Sequence, residues 1–222
     1  MTYQNVDSQN LKKKSGTSNV RLVWKTPYGD NEVAYMARVS AANQHDTPDK
    51  LIGYLVKHKH WSPFEMVNMC VEICTTRSIS AQIMRHRSFS FQEFSQRYAE
   101  IQDKPLMPEL RRQDLKNRQN SIDDLDPTEV QNFEVMIDQH YEQGLYLYKE
   151  MLAAGVAKEC AREVLPMSTP TKLYMNGNLR SWLHYCDLRT ANSTQKEHRE
   201  IAIACKKLLA ENFPHSYKAY YD

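Results

Sequence analysis

Residues 66–98 read MVNMCVEICTTRSISAQIMRHRSFSFQEFSQRY, and a change of hydrophobic period inside this run decides the fold. From Met66 to Cys74, Val67, Met69, Val71 and Ile73 alternate with Asn68, Cys70, Glu72 and Cys74, which predicts a strand with one core face and one mixed face. Ile79, Ile83 and Met84 then recur at helical spacing, so a helix follows that packs this side inward and sets Gln82 and Arg85, three apart, together on another. The Ser-Phe-Ser-Phe alternation at 88–91 predicts a turn or extended piece, with Ser88 and Ser90 opposite Phe89 and Phe91. A strand that feeds a helix and then an extended segment shows a chain that mixes strands with helices. It also places the following polar side chains on a rigid frame rather than a loose loop.

Those side chains are unusually dense. Arg85, Arg87 and Arg97, His86, Glu93, and the hydroxyls of Ser88, Ser90, Ser95 and Tyr98 fall within fourteen residues. Like charges this close repel, and an anion settles them. Arginine offers a rigid fork of donors matched to phosphate or an imide edge, and Gln82 adds a donor and an acceptor able to read a base. The stretch therefore reads as a surface for an anionic, planar ligand; a solvated charged helix is the plainer alternative.

Outward from this stretch, Val20 to Lys25 is a short β-prone run ended by the turn cluster at 26–30, and Asn31 to Ala42 carries Val33, Ala34, Ala37 and Val39 in a helical pattern. Thr47-Pro48 is a helix start, with Leu51, Ile52, Leu55 and Val56 as one apolar face. The segment 58–65 holds His58, His60 and Glu65, but in no standard zinc spacing, so no metal is expected. Residues 103–127 are charged and proline-punctuated, a mobile surface excursion. A long helix to about Ala154 follows, with Phe133, Met136, Ile137, His140, Tyr141, Leu145, Tyr148, Met151 and Leu152 near one side, as core or as subunit interface. Gly155 closes it, and Val156 to Leu165 makes another helix stopped by Pro166. Lys172 to Asn176 is β-prone, and in the helix after Asn178 the residues Arg180, His184 and Asp187 share one side while Trp182, Leu183, Tyr185 and Cys186 pack. Thr194 and Glu197 have capping-box spacing for a last helix that buries Ile201, Cys205, Leu208 and Leu209, before an aromatic tail with Tyr217, Tyr220 and Tyr221.

With 222 residues and 41% hydrophobic content, the chain suits one globular domain over 20–222, after a flexible polar tail at 1–19. The formal charge of +2, from 29 basic and 27 acidic residues, argues against a nucleic-acid partner. Five cysteines without a CxxC read as reduced, buried thiols of a cytoplasmic protein. No signal peptide or apolar run long enough to span a bilayer is present, so no membrane is expected.

Arg85-His86-Arg87, then seven residues, then Ser95, with Glu93 and Arg97 between and beyond, resembles the signature of the flavin-dependent thymidylate synthases. The resemblance covers most of residues 20–213 and implies that family's α+β fold, a mixed central sheet with packed helices. It implies reductive methylation of dUMP to dTMP, with 5,10-methylenetetrahydrofolate as carbon donor, FAD as hydride carrier and NADPH as reductant, in a homotetramer with shared active sites. Residue by residue, it puts Gln82, Arg85, Glu93, Ser95, Gln96, Arg97, Arg162 and Arg189 on dUMP. Ser40, His60, Ser62, Arg85, His86, Arg87, Glu93, Asn178, Arg180 and His184 would meet FAD. Read without the resemblance, Ser40 is a helix-terminal hydroxyl and Arg162 a surface partner of Glu159 or Glu163. Gln92, Phe91 and Ser62 stand where Asn, Tyr and Thr are more frequent, and the position of His184 varies within the family.

The chemistry fits that implication. No glycine-rich phosphate loop or Rossmann fingerprint is available, so arginines must hold the phosphates. Carbon 5 of uracil is a poor nucleophile until the ring gains negative charge, and Arg189, a permanent cation, is the candidate to stabilise that charge. No cysteine sits among activating polar neighbours, so catalysis is expected without an enzyme thiol, with Ser95 as phosphate ligand rather than nucleophile. An RNA- or DNA-binding module with Phe89 and Phe91 as stacking platforms, and a flavoprotein reductase, are the rival readings.

Overall fold

The alternation around Val71 is realised in the computed structural model, which describes residues 19–41 and 48–222. The expected tail, apart from Asn19, and the helix start at Thr47 lie outside the described residues, and the helix expected over 31–42 already ends at Ala37, with 38–40 a turn. Strand β2 (Asn68–Thr76) buries Met69, Val71 and Ile73 completely. β1 (Asn19–Lys25) pairs with it antiparallel, pairing Arg21 with Glu72, and the register shifts between Leu22 and Trp24. β3 (Ser90–Glu93) and β6 (Pro170–Asn178) are also antiparallel, and the four-stranded sheet has the order β1-β2-β6-β3. With helices packed on this sheet, the α+β expectation holds.

The described chain forms two compact units. One contains 19–95 and 171–222, hence the four-stranded sheet apart from Pro170; the other is 96–170. In the first unit, α1 (Gly29–Ala37), α2 (Asp49–Lys57), α3 (Arg77–Ile83), α6 (Leu179–Arg189), α7 (Lys196–Asn212) and α8 (Pro214–Tyr221) surround a core of Phe64, Val71, Leu173, Trp182, Tyr185, Leu209 and Phe213. Each large side chain buried here contributes about 1.5–3 kcal/mol. Trp182 spends no polar group in doing so, since its indole N–H donates to the Met69 carbonyl at 2.9 Å. A Cβ on Gly177 would come within 2.4 Å of the Phe89 ring, so only glycine lets the turn before β3 close on β6.

The second unit is built on α4 (Pro127–Ala153), whose start follows from Asp126: its carboxylate accepts from the N–H groups of Thr128 and Glu129, and Pro127 takes the first helical position. Gly155, at φ 84, ends it. Tyr148, Ile101 and Ala161 form the buried cluster, and a two-stranded ladder of β4 (Arg112–Gln113) and β5 (Ser121–Ile122) lies within the 103–127 excursion.

Four further local expectations fail. The predicted helix at 156–165 is only α5 (Lys158–Ala161) and a 3-10 turn at Arg162–Val164. Met84 is exposed because α3 stops at Ile83. The Thr194–Glu197 box does not form: Gln195 precedes α7 and its side-chain amide donates to Glu197 instead. The aromatic tail is the helix α8, whose first free N–H groups, those of His215 and Ser216, donate to Asp30 in α1.

Candidate active site

Two chain segments meet at His86. α3 ends at Ile83, and a tight turn, with the His86 N–H donating to the Ile83 carbonyl and the Phe89 N–H to the His86 carbonyl, swings the chain into β3. Arg85 and Arg87 are exposed on this turn, and His86 points back, half-buried. α6 delivers Arg189 from its last turn, where the helix dipole favours a cation. The Arg189 Nε–H donates to Nε2 of His86 at 2.8 Å. Burial, then the charge of Arg189, then His184, lower the His86 pKa from 6.5 to about 4. A neutral imidazole with a lone pair on Nε2 is the form that this hydrogen bond requires. The Arg189 side chain is thereby aimed while its terminal nitrogens keep their donors.

The other end of α6 opens on a cleft of about 590 Å³ lined by Trp61, Glu65, Ser88, Asn178, Arg180, Ser181, His184 and Tyr220. Asn178 caps the helix, accepting from the Ser181 N–H at 2.9 Å, which leaves its amide N–H groups as donors. Arg180 pairs with Glu65 at 2.5 Å. Trp61 and Tyr220, 5.9 Å between ring centroids, supply an aromatic wall. Of the residues expected at FAD, the cleft gathers Asn178, Arg180 and His184. His60 and Ser62 flank Trp61 in sequence and are exposed, with His60 against the Tyr54 ring at 6.0 Å. Ser40 is exposed just beyond α1 and does not line the cleft.

The residues expected at dUMP divide between the two units. In the first, the Gln82 amide donates to Gln195 at 2.7 Å. Glu93 is held on β3 by three partners: Ser80 donates to Oε1 at 2.6 Å, Thr171 to the same oxygen at 3.0 Å, and Arg77 lies 2.7 Å from Oε2. A carboxylate accepts at about four positions, so one remains for a ligand donor. Ser95 follows β3, half-buried. In the second unit, Arg97 pairs with Glu159 at 2.8 Å and Arg162 with its neighbour Glu163 at 3.4 Å, the plainer reading of that arginine. Gln96 is buried, and its Nε2 has no partner among the described residues.

Trp61, Glu65, Ser181 and Tyr220 were not expected at a site, nor were Arg77, Ser80 and Thr171 behind Glu93, while Ser88 was expected only as part of the polar surface at 85–98. Trp61 and Glu65 lie inside the 58–65 segment, between and beyond its more conspicuous histidines. The thiols are protonated at neutral pH where burial acts on them: Cys186 is pushed well above its ordinary value and Cys205 up to about 12.

A family model described as thymidylate synthase complementing protein matches residues 21–215, and the chain belongs to that family, the flavin-dependent thymidylate synthases. It is 52% identical over 184 residues to a flavin-dependent thymidylate synthase of Synechocystis sp., covering 82% of this chain and 85% of that protein. A probable flavin-dependent thymidylate synthase of Paramecium bursaria Chlorella virus 1 is 48% identical over 190 residues, covering 84% and 88%. Among solved structures, a UMP/dUMP methylase, PolB from Streptomyces cacaoi, bound with 5-Br UMP, superposes with a TM-score of 0.84 at 29% identity, covering 94% of this chain and 95% of that one. The resemblance read from Arg85-His86-Arg87 and Ser95 is therefore correct.

Proposed function

We propose that this protein is a flavin-dependent thymidylate synthase that converts dUMP to dTMP, with 5,10-methylenetetrahydrofolate as carbon donor, FAD as hydride carrier and NADPH as reductant, releasing tetrahydrofolate. The observation that carries the reading is the Arg189–His86 hydrogen bond in a chain of this family. Arg189, fixed through Nε, offers its remaining N–H groups to the pyrimidine edge and stabilises the negative charge that makes C5 nucleophilic. C5 bonds to the methylene carbon as that carbon's bond to a folate nitrogen breaks, and the C5 proton is then lost to solvent. Protonated, buried thiols at Cys186 and Cys205 fit a reaction that adds no enzyme sulfur to the ring.

The cleft suits a dinucleotide held by side chains: donors on Arg180, Asn178, Ser88 and His184 face an aromatic wall of Trp61 and Tyr220. FAD, when bound, supplies hydride transfer. Ser40, His60, Ser62, Arg85, His86, Arg87 and Glu93 complete its contacts in this reading. Gln82, Arg85, Glu93, Ser95, Gln96, Arg97 and Arg162 join Arg189 on dUMP, where the unpartnered Gln96 Nε2 finds an acceptor. Residues 20–222 serve this one reaction as a single enzyme domain. A homotetramer with shared active sites is supported by α4: Phe133, Met136, Tyr146 and Leu147, at 46–65% exposure, are apolar surface that subunits would cover. No helix among the described residues is long and apolar enough to cross a membrane, and the proposed compartment is the cytoplasm.

The test is anaerobic tritium release from C5-labelled dUMP with FAD, NADPH and methylenetetrahydrofolate. Release by the wild type that falls about 10³-fold in Arg189→Ala is expected. Flavin binding without release points to a reductase, and flavin-independent, salt-sensitive nucleic-acid binding to the other rival.

A further inference from the structure

Behind His86 lies a second layer of polar side chains that no ligand contact accounts for. Tyr185, on the packed side of α6, sets its ring edge-on to His86, with centroids 4.9 Å apart and planes at 86°. Its hydroxyl lies 3.1 Å from Nε2 of His198 in α7. Both residues are completely buried, and the His198 ring is 6.2 Å from that of His86. Phe89 and Trp182, each with a centroid 5.8 Å from that of Tyr185, close the remaining sides.

His198 is an expensive residue for this place. Its Nδ1 is buried with no hydrogen-bond partner among the described residues, whereas a phenylalanine would fill similar space with no polar atom to satisfy. Burial, then Arg189 and His86, hold its pKa down to about 4, so the ring is neutral and carries one proton. With Nε2–H donating, the Tyr185 hydroxyl proton has no acceptor among the described residues; with the hydroxyl donating to Nε2, the orphan is Nδ1–H, so in either tautomer the pair buries an unmet donor. This polar pair sits in an apolar core, one layer behind the imidazole that meets Arg189.

We propose that Tyr185 and His198 are positioning residues for Arg189: their hydrogen bond fixes the Tyr185 ring, that ring fixes the plane of His86, and His86 Nε2 directs the Arg189 Nε–H. The proposal rests on the reading of Arg189 as the group at the pyrimidine ring. It separates orientation from binding, because neither Tyr185 nor His198 is exposed to a ligand. Its signature is a loss of kcat with little change in KM for dUMP.

The experiment is steady-state tritium release from C5-labelled dUMP by the FAD-loaded full chain. Tyr185→Phe keeps the ring and removes only the hydroxyl. We expect kcat to fall about tenfold, as for outer partners that orient a first ligand, with KM within about twofold. In a His86→Ala background, adding Tyr185→Phe should change nothing further, since the route runs through His86. His198→Leu, which leaves Tyr185 in place, should show the same loss, and His198→Gln, whose amide reaches the hydroxyl, should recover most of kcat. Unchanged kcat in both Tyr185→Phe and His198→Leu, or an equal loss with and without His86, overturns the proposal. A wild type that releases no tritium would instead remove the reaction on which it rests.

Discussion

The two ends of α6 hold arginines under opposite conditions. At the first turn, Arg180 is exposed and pairs with Glu65 beside an open cleft, with His184 exposed one turn further on. At the last turn, Arg189 is half-buried on a neutral imidazole that is itself backed by fully buried Tyr185 and His198. An exposed ion pair is worth about 0–1 kcal/mol, so Arg180 can exchange Glu65 for a phosphate at small cost. Arg189 has a neutral partner and a fixed direction, which suits a group that must meet a charge developing at one ring position. One helix thus carries an adaptable binding end at Arg180 and a rigid chemical end at Arg189.

If this contrast is real, acid should strike the rigid end first. His86 and His198 both have pKa values lowered from 6.5 to about 4, by burial first and then by Arg189. Between those values the unfolded chain binds more protons than the folded one, so stability rises with pH across the window. The contribution is complete above pH 6.5 and is lost as pH falls toward 4. At about 1.4 kcal/mol per proton and pH unit, the two rings remove at most about 4 kcal/mol between pH 6.5 and 5. Urea melts at pH 7 and pH 5 measure this, and His198→Gln should roughly halve the difference. Equal midpoints would mean that the buried end is no more pH-sensitive than the open one.

The open end should answer to flavin instead. Arg180→Ala is expected to weaken FAD binding about 10- to 100-fold, the worth of a hydrogen bond to a charged group, as read by quenching of flavin fluorescence. At saturating FAD its kcat for tritium release should stay within about threefold of the wild type. Glu65→Gln, which frees Arg180, should hold or tighten that affinity. Loss of kcat at saturating FAD in Arg180→Ala would merge the two ends into one function.

Much of this contrast was legible in residues with short-range patterns. The alternation of Val67, Met69, Val71 and Ile73 gave β2, and the spacing of Arg180, His184 and Asp187 against Trp182, Leu183, Tyr185 and Cys186 gave the two faces of α6 as observed. What escaped depends on partners distant in sequence. Glu93 read only as a ligand contact because nothing local reveals that Arg77, Ser80 and Thr171 converge on it. The last helix was read as a tail because the acceptor for its first N–H groups is Asp30, near the other end of the chain. The apolar stripe of α4 left core and interface both open, and its outcome is split: Tyr141 and Tyr148 are buried while Phe133 and Met136 are exposed. Tyr185 reads only as a packed residue and His198 carries no sequence signal, since periodicity reports which side chains are buried and not what a buried ring is set against.

The smallest expected effect separates two duties at a single residue of the open end. Asn178 Oδ1 accepts from the Ser181 N–H as the helix cap, and its amide N–H groups remain to meet a ligand in the cleft. Asn178→Ala removes both, at a cost of about 1 kcal/mol in stability and thus a drop of about 2–4 °C in Tm for a chain of this length. Asn178→Ser keeps a capping oxygen and removes the amide. It should therefore match the wild type in Tm while binding FAD about fivefold more weakly, the worth of one neutral hydrogen bond. If the serine variant kept full FAD affinity, Asn178 would serve the helix alone, and the grip of the open end would rest on Arg180 and its neighbours.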